Sequence, residues 1–196
     1  FWVVNLGLLV DAFYSITPPA LGVICFLSII IITVYSLING RLINLRSIKI
    51  TSSKVDEQIR LMFISDTHLG SNSKKHLQKI LLKIKGLEFD LLLIGGDFID
   101  SSSFDLDGLD ILKNIKKPIL FISGNHEYYI KDHENKMKRL NNYDITVLDN
   151  ESFKFKRLNL IGISDNLTLE TQKNIASRLI QEDLFNLILV HKPSLW

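Results

Sequence analysis

Three stretches of the 196-residue chain carry metal-ligating or acid–base side chains directly after a short apolar run. Such a run is typical of a strand buried on both faces of a sheet, and α/β sheets bind ligands at the carboxyl ends of their strands. We therefore predict that the three sets of side chains meet at one edge of a sheet. The runs 61–64, 91–94 and 119–122 precede, in turn, Asp66 and His68, then Asp97, then Asn125, His126 and Glu127.

A fourth apolar run, 184–190, ends at His191 in the same way. Carboxylate, imidazole and amide oxygen, without a thiolate, suit ions such as Mn²⁺, Fe²⁺ or Zn²⁺. The candidates exceed the needs of one ion, so two divalent metal ions bridged by one carboxylate are predicted. Other interpretations stay open at this point: Asp66 and Asp97 as helix caps, and Asn125 as a turn residue.

From residue 58 onwards the apolar pattern alternates between strand and helix. Helical spacing predicts helices at about 74–85, 105–116 and 129–141, between strands at 60–64, 90–94 and 119–122. Short strands at hairpin spacing follow at 145–148, 152–155 and 158–163. A helix at about 170–181 then leads into the strand 184–190. Alternating units followed by a run of strands predict a layered α/β sandwich with a mixed sheet.

Residues 20–38 carry no charge and consist mainly of Ile, Leu and Val. At about 1.5 Å per residue they reach across a ~30 Å hydrocarbon core, so a transmembrane helix is predicted at 20–40. The alternatives are a buried core helix and the apolar region of a signal peptide. Residues 1–19 are interpreted as the end of an earlier membrane segment and its connection, which the sequence leaves open.

The following segment, 41–57, is a basic linker. By the positive-inside rule it places the next domain, 58–196, in the cytoplasm; a solvated linker without topological meaning is the alternative. The whole chain has a net charge of +2 and no basic, aromatic-interleaved stripe, which disfavours nucleic acid as a partner. Its single cysteine, Cys25, excludes a disulfide framework. The sequence makes no prediction of the oligomeric state.

The motifs Asp-x-His, Gly-Asp-x-x-Asp and Gly-Asn-His-Glu, in this order on successive predicted strands, resemble those of the calcineurin-like metallophosphoesterases. The resemblance covers 58–196 and is strongest to the bacterial branch of membrane-tethered or exported phosphodiesterases. It implies an αββα-type sandwich with mixed sheets, at the bacterial inner or plasma membrane. The family's Gly-His-x-His motif is expected some tens of residues after His191, so we expect the domain to be incomplete at the C-terminus of this sequence.

The resemblance assigns metal ligands residue by residue. Asp66 and His68 would bind the first ion, and Asp97 would bridge the two. Asn125 and His191 would bind the second ion.

Three further residues receive roles that do not involve metal binding. His126 would hydrogen-bond the phosphate and protonate the leaving oxygen. Glu127 would orient His126 or raise its pKa. Asp100, the last residue of Gly-Asp-x-x-Asp, is expected to be a structural hydrogen-bonding residue.

The implied activity is hydrolysis of a phosphodiester or pyrophosphate by a metal-bridging hydroxide. The substrate would be a phosphorylated small molecule or a lipid-linked compound, reached by an enzyme tethered to the membrane. Two alternatives remain: a nuclease of the same fold, and a non-catalytic metal-binding module of the membrane.

Overall fold

The computed structural model describes residues 10, 12, 19–40 and 42–192. The chain forms two compact units, residues 1–47 and 48–196. In the first unit, helix α1 runs from Pro19 to Asn39. Its segment Leu21–Asn39 has a mean hydropathy of 2.7 and is long and apolar enough to cross a membrane. A signal sequence near the N-terminus has the same length and composition. Most of the predicted segment 1–19 lies outside the described residues.

The second unit begins ten residues earlier than the predicted boundary at 58. Ile48 is its first residue, so part of the predicted basic linker belongs to it. Val55 and Ile59 pack against a buried cluster of the domain, and Lys54 donates a hydrogen bond from Nζ to the carbonyl of Glu182 at 2.6 Å. Val55 is flanked by polar residues in the predicted linker, so composition alone does not indicate that it packs on the domain.

A four-stranded parallel sheet organises the second unit. Its strands lie side by side in chain order, and every neighbouring pair is parallel. All four therefore end at the same edge of the sheet, as the sequence predicts for the first three. The strands are β1 (Leu61–Ile64), β2 (Leu91–Ile94), β3 (Ile119–Phe121) and β4 (Ile145–Val147).

A second, mixed sheet has three strands: β5 (Ser152–Phe155), β6 (Leu158–Ile163) and β7 (Phe185–Val190). β5 and β6 form an antiparallel hairpin, whereas β6 and β7 are parallel. The prediction of hairpin spacing is correct for β5 and β6 but wrong for β4, which pairs with β3. Ile145 of β4 is buried in the core of the first sheet, so the chain changes sheets between β4 and β5.

The helices differ from the predictions at two places. α2 (Lys74–Ile84) and α4 (Leu169–Leu179) match, but residues 106–114 form a 3₁₀ helix, because the sequence Asp-Leu-Asp-Gly-Leu-Asp has weak α-helical propensity. The predicted helix 129–141 is interrupted at Asp132, whose φ is +59°. It is divided into a 3₁₀ turn (Glu127–Tyr129), α3 (His133–Arg139) and a second 3₁₀ turn (Leu140–Tyr143).

Alternate residues of the strands pack in different layers, which gives the αββα sandwich. Leu92 and Ile94 of β2 face a cluster that includes Leu77 of α2. Their neighbours Leu91 and Leu93 face the second sheet in a cluster with Leu160 and Leu189, among others. The outer face of the second sheet, with Ile161 and Ile163, packs on Ala176 of α4. The predicted αββα fold class is confirmed.

Candidate metal centre

Five of the predicted site residues come together at the carboxyl edge of the two sheets. They form two groups that share Asp97, and within each group the ligand atoms lie within 4.8 Å of one another. A carboxylate common to two ligand groups is the arrangement expected of a residue that bridges two ions. The groups are His68 with Asp97 and His126, and Asp66 with Asp97 and His191.

The backbone at this edge is held in an unusual conformation. Asp66, His68 and Asp97 have φ values of +55°, +49° and +49°, in the left-handed region that few residues other than glycine adopt. Such conformations cost about 1–3 kcal/mol each and are concentrated at functional sites. Here they turn the chain out of β1 and β2 so that successive side chains point into one space.

The carboxylate of Asp97 is the centre of the cluster, with only 4% of the residue exposed. Its Oδ2 lies 3.2 Å from Nε2 of His191, 3.8 Å from Nε2 of His68 and 3.9 Å from Nε2 of His126. Two atoms that bind one ion at about 2.0–2.2 Å each are roughly 3–4 Å apart. These separations therefore fit shared ligation of divalent ions.

His191 and His68 both direct Nε2 toward the cluster, because Nδ1 of each ring contacts an oxygen atom behind it. Nδ1 of His191 lies 2.9 Å from the carbonyl oxygen of Gly95, and Nδ1 of His68 lies 3.3 Å from Oδ2 of Asp100. Each oxygen accepts the proton on Nδ1, so Nε2 keeps a free lone pair toward Asp97. A histidine held in this way is typical of metal ligation.

Asp100 is a buried acceptor behind His68, in agreement with the structural role predicted for it. Its Oδ1 accepts a hydrogen bond from the N–H of Ser71 at 2.9 Å. Burial raises the pKa of Asp100, but the hydrogen bonds from Ser71 and the charge of His68 outweigh it, so the pKa is lowered. The ionised carboxylate is therefore the form that orients the His68 ring.

The carboxylate of Glu127 contacts the backbone, whereas the resemblance implies that it orients His126 or raises the pKa of His126; the second of these roles stays a prediction. It is fully buried, and its carboxylate accepts hydrogen bonds from four backbone N–H groups and, among the described residues, none from the imidazole of His126. Burial raises the pKa of Glu127. The side chain points inward beneath the loop, so it fixes the backbone around Asp97 and leaves the orientation of His126 to other contacts. The donors are Gly124, Asp97, Phe98 and Ile99, at 2.7–3.0 Å.

His126 and Asn125 remain less constrained. The N–H of His126 donates to Oδ1 of Asp97 at 2.9 Å, while 41% of its side chain is exposed. The side chain of Asn125 is half-buried and has no hydrogen-bond partner within residues 42–192. Its predicted role as a ligand of the second ion therefore stays a prediction.

Two glycines make room for the cluster. A Cβ on Gly124 would lie 2.6 Å from the backbone nitrogen of Asp97, and a Cβ on Gly96 would lie 2.7 Å from Nδ1 of His191. Both distances are shorter than van der Waals contact, so any side chain here would displace a candidate ligand. Gly96 also has a φ of +92°, which favours glycine.

Sequence reasoning missed two residues beside the site. Asp149 accepts hydrogen bonds from the N–H and Oγ of Ser123, at 2.7 and 2.6 Å, and secures the end of β3. It follows the apolar run of β4, the same signal that marked the other candidates. Tyr129 is 75% exposed and its ring meets that of His126 edge-on, 5.8 Å between centroids. No pattern in the sequence distinguishes Tyr129 from Tyr128.

Comparison with known proteins agrees with this geometry. Residues 59–194 match the calcineurin-like phosphoesterase family. An uncharacterized metallophosphoesterase of Helicobacter pylori (strain J99) is 30% identical over 149 residues, which cover 71% of this chain and 40% of that protein. A zebrafish (Danio rerio) protein described as a transmembrane protein with metallophosphoesterase domain is 31% identical over 135 residues, covering 65% of this chain and 31% of that protein.

The fold and the cluster at the strand ends define a metallophosphoesterase domain. The chain belongs to the calcineurin-like phosphoesterase family. It spans about two fifths of the length of its Helicobacter relative.

Proposed function

We propose that the protein is a hydrolase that uses two divalent metal ions to cleave a phosphodiester or pyrophosphate. The observation that carries this proposal is the position of Asp97, whose Oδ2 faces the Nε2 atoms of His191 and His68 at 3.2 and 3.8 Å. These histidines follow different strands in different sheets, so a single carboxylate stands between two halves of the site. That is the requirement for a bridging ligand.

Asp66 lies close to both histidines, since it also forms a group with Asp97 and His191, and we assign it to the side of His68. Asp66 Oδ1 lies 3.9 Å from Nε2 of His68, which supports a first site made of Asp66, His68 and Asp97. His191, together with Asn125, supports a second. Imidazole and carboxylate ligands without thiolate suit Mn²⁺, Fe²⁺ or Zn²⁺, and we propose Mn²⁺ for assays.

Bound divalent ions supply a nucleophile at neutral pH by lowering the pKa of water from about 15.7 to about 7, and they neutralise charge on the phosphoryl oxygens. The chain supplies the proton for the leaving group. His126 lies at the exposed rim of the cluster with its backbone held by Asp97, so its ring can reach a bound substrate. Proton donation from a positioned imidazole contributes about 10²–10⁴-fold to the rate.

We also propose that α1 tethers the domain to a membrane with the domain in the cytoplasm. Its length and apolar composition support this, as does the excess of Arg and Lys in residues 41–57. The zebrafish relative is described as a transmembrane protein, which is consistent with a membrane location. The substrate class is a phosphorylated small molecule or a lipid-linked phosphate compound.

The decisive experiment compares two equivalent substitutions in the full chain. Asp97→Asn and Asp144→Asn replace the same side chain on the same left-handed backbone, with φ of +49° and +59°, but Asp144 lies outside the cluster. We expect Mn²⁺-dependent hydrolysis of bis-(p-nitrophenyl) phosphate by the wild type and the Asp144→Asn variant. Asp97→Asn should lower the rate by at least about 10²-fold. Equal rates in the two variants would refute the bridging role.

A further inference from the structure

A basic and apolar surface lies away from the metal centre, where the strands of the first sheet begin. Its centre is a groove of about 470 Å³ between the end of α2 and the end of the 3₁₀ helix 106–114. Its lining includes Leu81, Leu82, Leu87 and Phe89, with Lys85, Lys116 and Lys117. Leu87 and Phe89 precede β2, and the two lysines at 116–117 precede β3, whereas the metal ligands follow these strands. We call this the basic groove.

Two of the apolar side chains of the basic groove are open to solvent. Leu82 is 66% exposed and Leu87 is 43% exposed. Leu82 stands on the outer face of α2, because Leu77, Ile80 and Ile84 occupy its buried face. These two leucines are not packed in the core of the domain, so they can bind apolar groups from outside it.

The charged side chains on α2 are of one sign. Residues 67–87 contain five lysines and no Asp or Glu. Three acids close to the groove residues in sequence have partners of their own: Glu88 pairs with Arg60, Asp90 accepts a hydrogen bond from the backbone N–H of Arg60, and Asp110 pairs with Lys113. Within residues 42–192, none of the lysines at 79, 83, 85, 116 and 117 forms an ion pair. The surface therefore attracts anions.

We propose that the basic groove docks on the surface of a bilayer that contains anionic phospholipid. Lysines around exposed leucines match such a surface, because the ammonium groups meet lipid phosphates while the leucines enter the boundary of the acyl chains. The inference rests on the proposed tether in one respect: α1 would keep the domain near a bilayer and raise the effective lipid concentration.

Docking in this orientation has a consequence for the substrate. The metal centre lies at the edge where the strands end, and the basic groove lies at the edge where they begin. When the groove faces the bilayer, the metal centre would therefore face the aqueous phase. The proposal therefore favours a water-soluble phosphodiester or pyrophosphate over a lipid-linked one.

Depth-dependent fluorescence quenching in the full chain tests the proposal. A bimane label is attached at Gln78→Cys, which lines the groove, or at Glu170→Cys on α4, both in a Cys25→Ala background. The proteins are reconstituted into vesicles with doxyl-labelled lipid, either phosphatidylcholine alone or phosphatidylcholine with about one third phosphatidylglycerol. We expect quenching at position 78 to rise at least twofold with the anionic lipid, and quenching at position 170 to stay unchanged.

Charge reversal provides the matched control. Lys83→Glu, Lys116→Glu and Lys117→Glu together should abolish the rise at position 78, whereas Lys138→Glu, Lys154→Glu and Lys173→Glu together should leave it intact. Both triple variants should hydrolyse the soluble diester at the wild-type rate, because neither set touches the metal centre. Quenching at position 78 that is equal in both lipids, or equal in both triple variants, would overturn the docking surface.

Carbonate extraction separates this proposal from the tether. A chain that resists extraction but shows no lipid-dependent quenching at position 78 would support the tether and refute docking. A chain that carbonate removes, but whose label at position 78 is quenched by anionic vesicles before the wash, would refute the tether and support docking.

Discussion

At the carboxyl edge of the four-stranded sheet three candidate ligands have left-handed backbone, whereas at the opposite edge, where the strands begin, the lysines of the basic groove do not; Asp144, directly before β4, is left-handed there but carries no candidate ligand. Asp66, His68 and Asp97 all have positive φ at the first edge. At the second edge, the described residues 87–90 and 115–118 have none. The polar side chains differ in the same way: they converge on one buried carboxylate at the first edge and spread as exposed lysines at the second.

This difference shows what a site requires beyond the right residue types. Both edges carry charged side chains, but at the carboxyl edge a fully buried carboxylate also holds the backbone that carries them. Glu127 accepts four backbone hydrogen bonds there, which offset the cost of the left-handed residues. The following predictions compare substitutions at the carboxyl edge with matched substitutions elsewhere in the domain.

The largest expected effect is the loss of the proposed acid. His126→Asn should lower kcat by about 10²–10⁴-fold, because the leaving oxygen loses its proton donor, while Mn²⁺ affinity stays within a few-fold. Steady-state kinetics and calorimetric Mn²⁺ titration measure the two quantities. His76→Asn on α2 is the control and should change neither. Parallel losses of kcat and Mn²⁺ affinity in His126→Asn would make His126 a metal ligand instead.

Removal of the buried support should be the next largest effect. Glu127→Gln replaces one carboxylate oxygen with an NH₂ group, which cannot accept a hydrogen bond. In one orientation of the amide the N–H groups of Asp97 and Gly124 lose their acceptor, and in the flipped orientation those of Phe98 and Ile99 do. We expect the free energy of unfolding to fall by about 2–4 kcal/mol, measured by urea denaturation.

The control for this change lies at the opposite edge. Glu88→Gln breaks an exposed pair with Arg60 and should cost less than about 1 kcal/mol. Similar losses in the two variants would show that the two edges do not differ in buried support.

A smaller effect is expected behind His68. Asp100→Asn keeps the size of the side chain but weakens the acceptor for Nδ1 of His68, so Mn²⁺ should bind about 10–100-fold more weakly. Calorimetric titration measures the affinity. The control, Asp110→Asn, disrupts a surface pair with Lys113 and should leave Mn²⁺ affinity unaltered. An unchanged Mn²⁺ affinity in Asp100→Asn would show that Asp100 does not support metal binding by His68.

The smallest effect concerns pH. Burial raises the pKa of Asp149 above its usual 3.8, so the protonated form is favoured in the folded state. Its contribution to stability is full below the unfolded pKa and is lost as pH rises through the folded pKa. Asp149→Asn should therefore reduce the decline in stability over that interval, measured as Tm against pH. An identical pH profile in Asp149→Asn and the wild type would contradict the raised pKa of this carboxyl.

Much of the fold could be predicted because short apolar runs and helical spacing are local signals. β1, β2, β3 and β7 lie close to the predicted bounds, and the ligands follow them. The partner of β4 could not be predicted, because spacing along the chain does not show which sheet a three-residue strand joins. In the site, the direction of the Glu127 side chain depends on loops that fold back from β2 and β3, and no residue pattern encodes those contacts.

The central claim is that Asp97 joins two metal sites into one. Calorimetric titration of the full chain with Mn²⁺, with Asp144→Asn as the matched control, tests it most directly. We predict two bound ions for the wild type and for Asp144→Asn, and at most one for Asp97→Asn. Two ions bound to Asp97→Asn with wild-type affinity, or a single ion bound to the wild type, would contradict the claim.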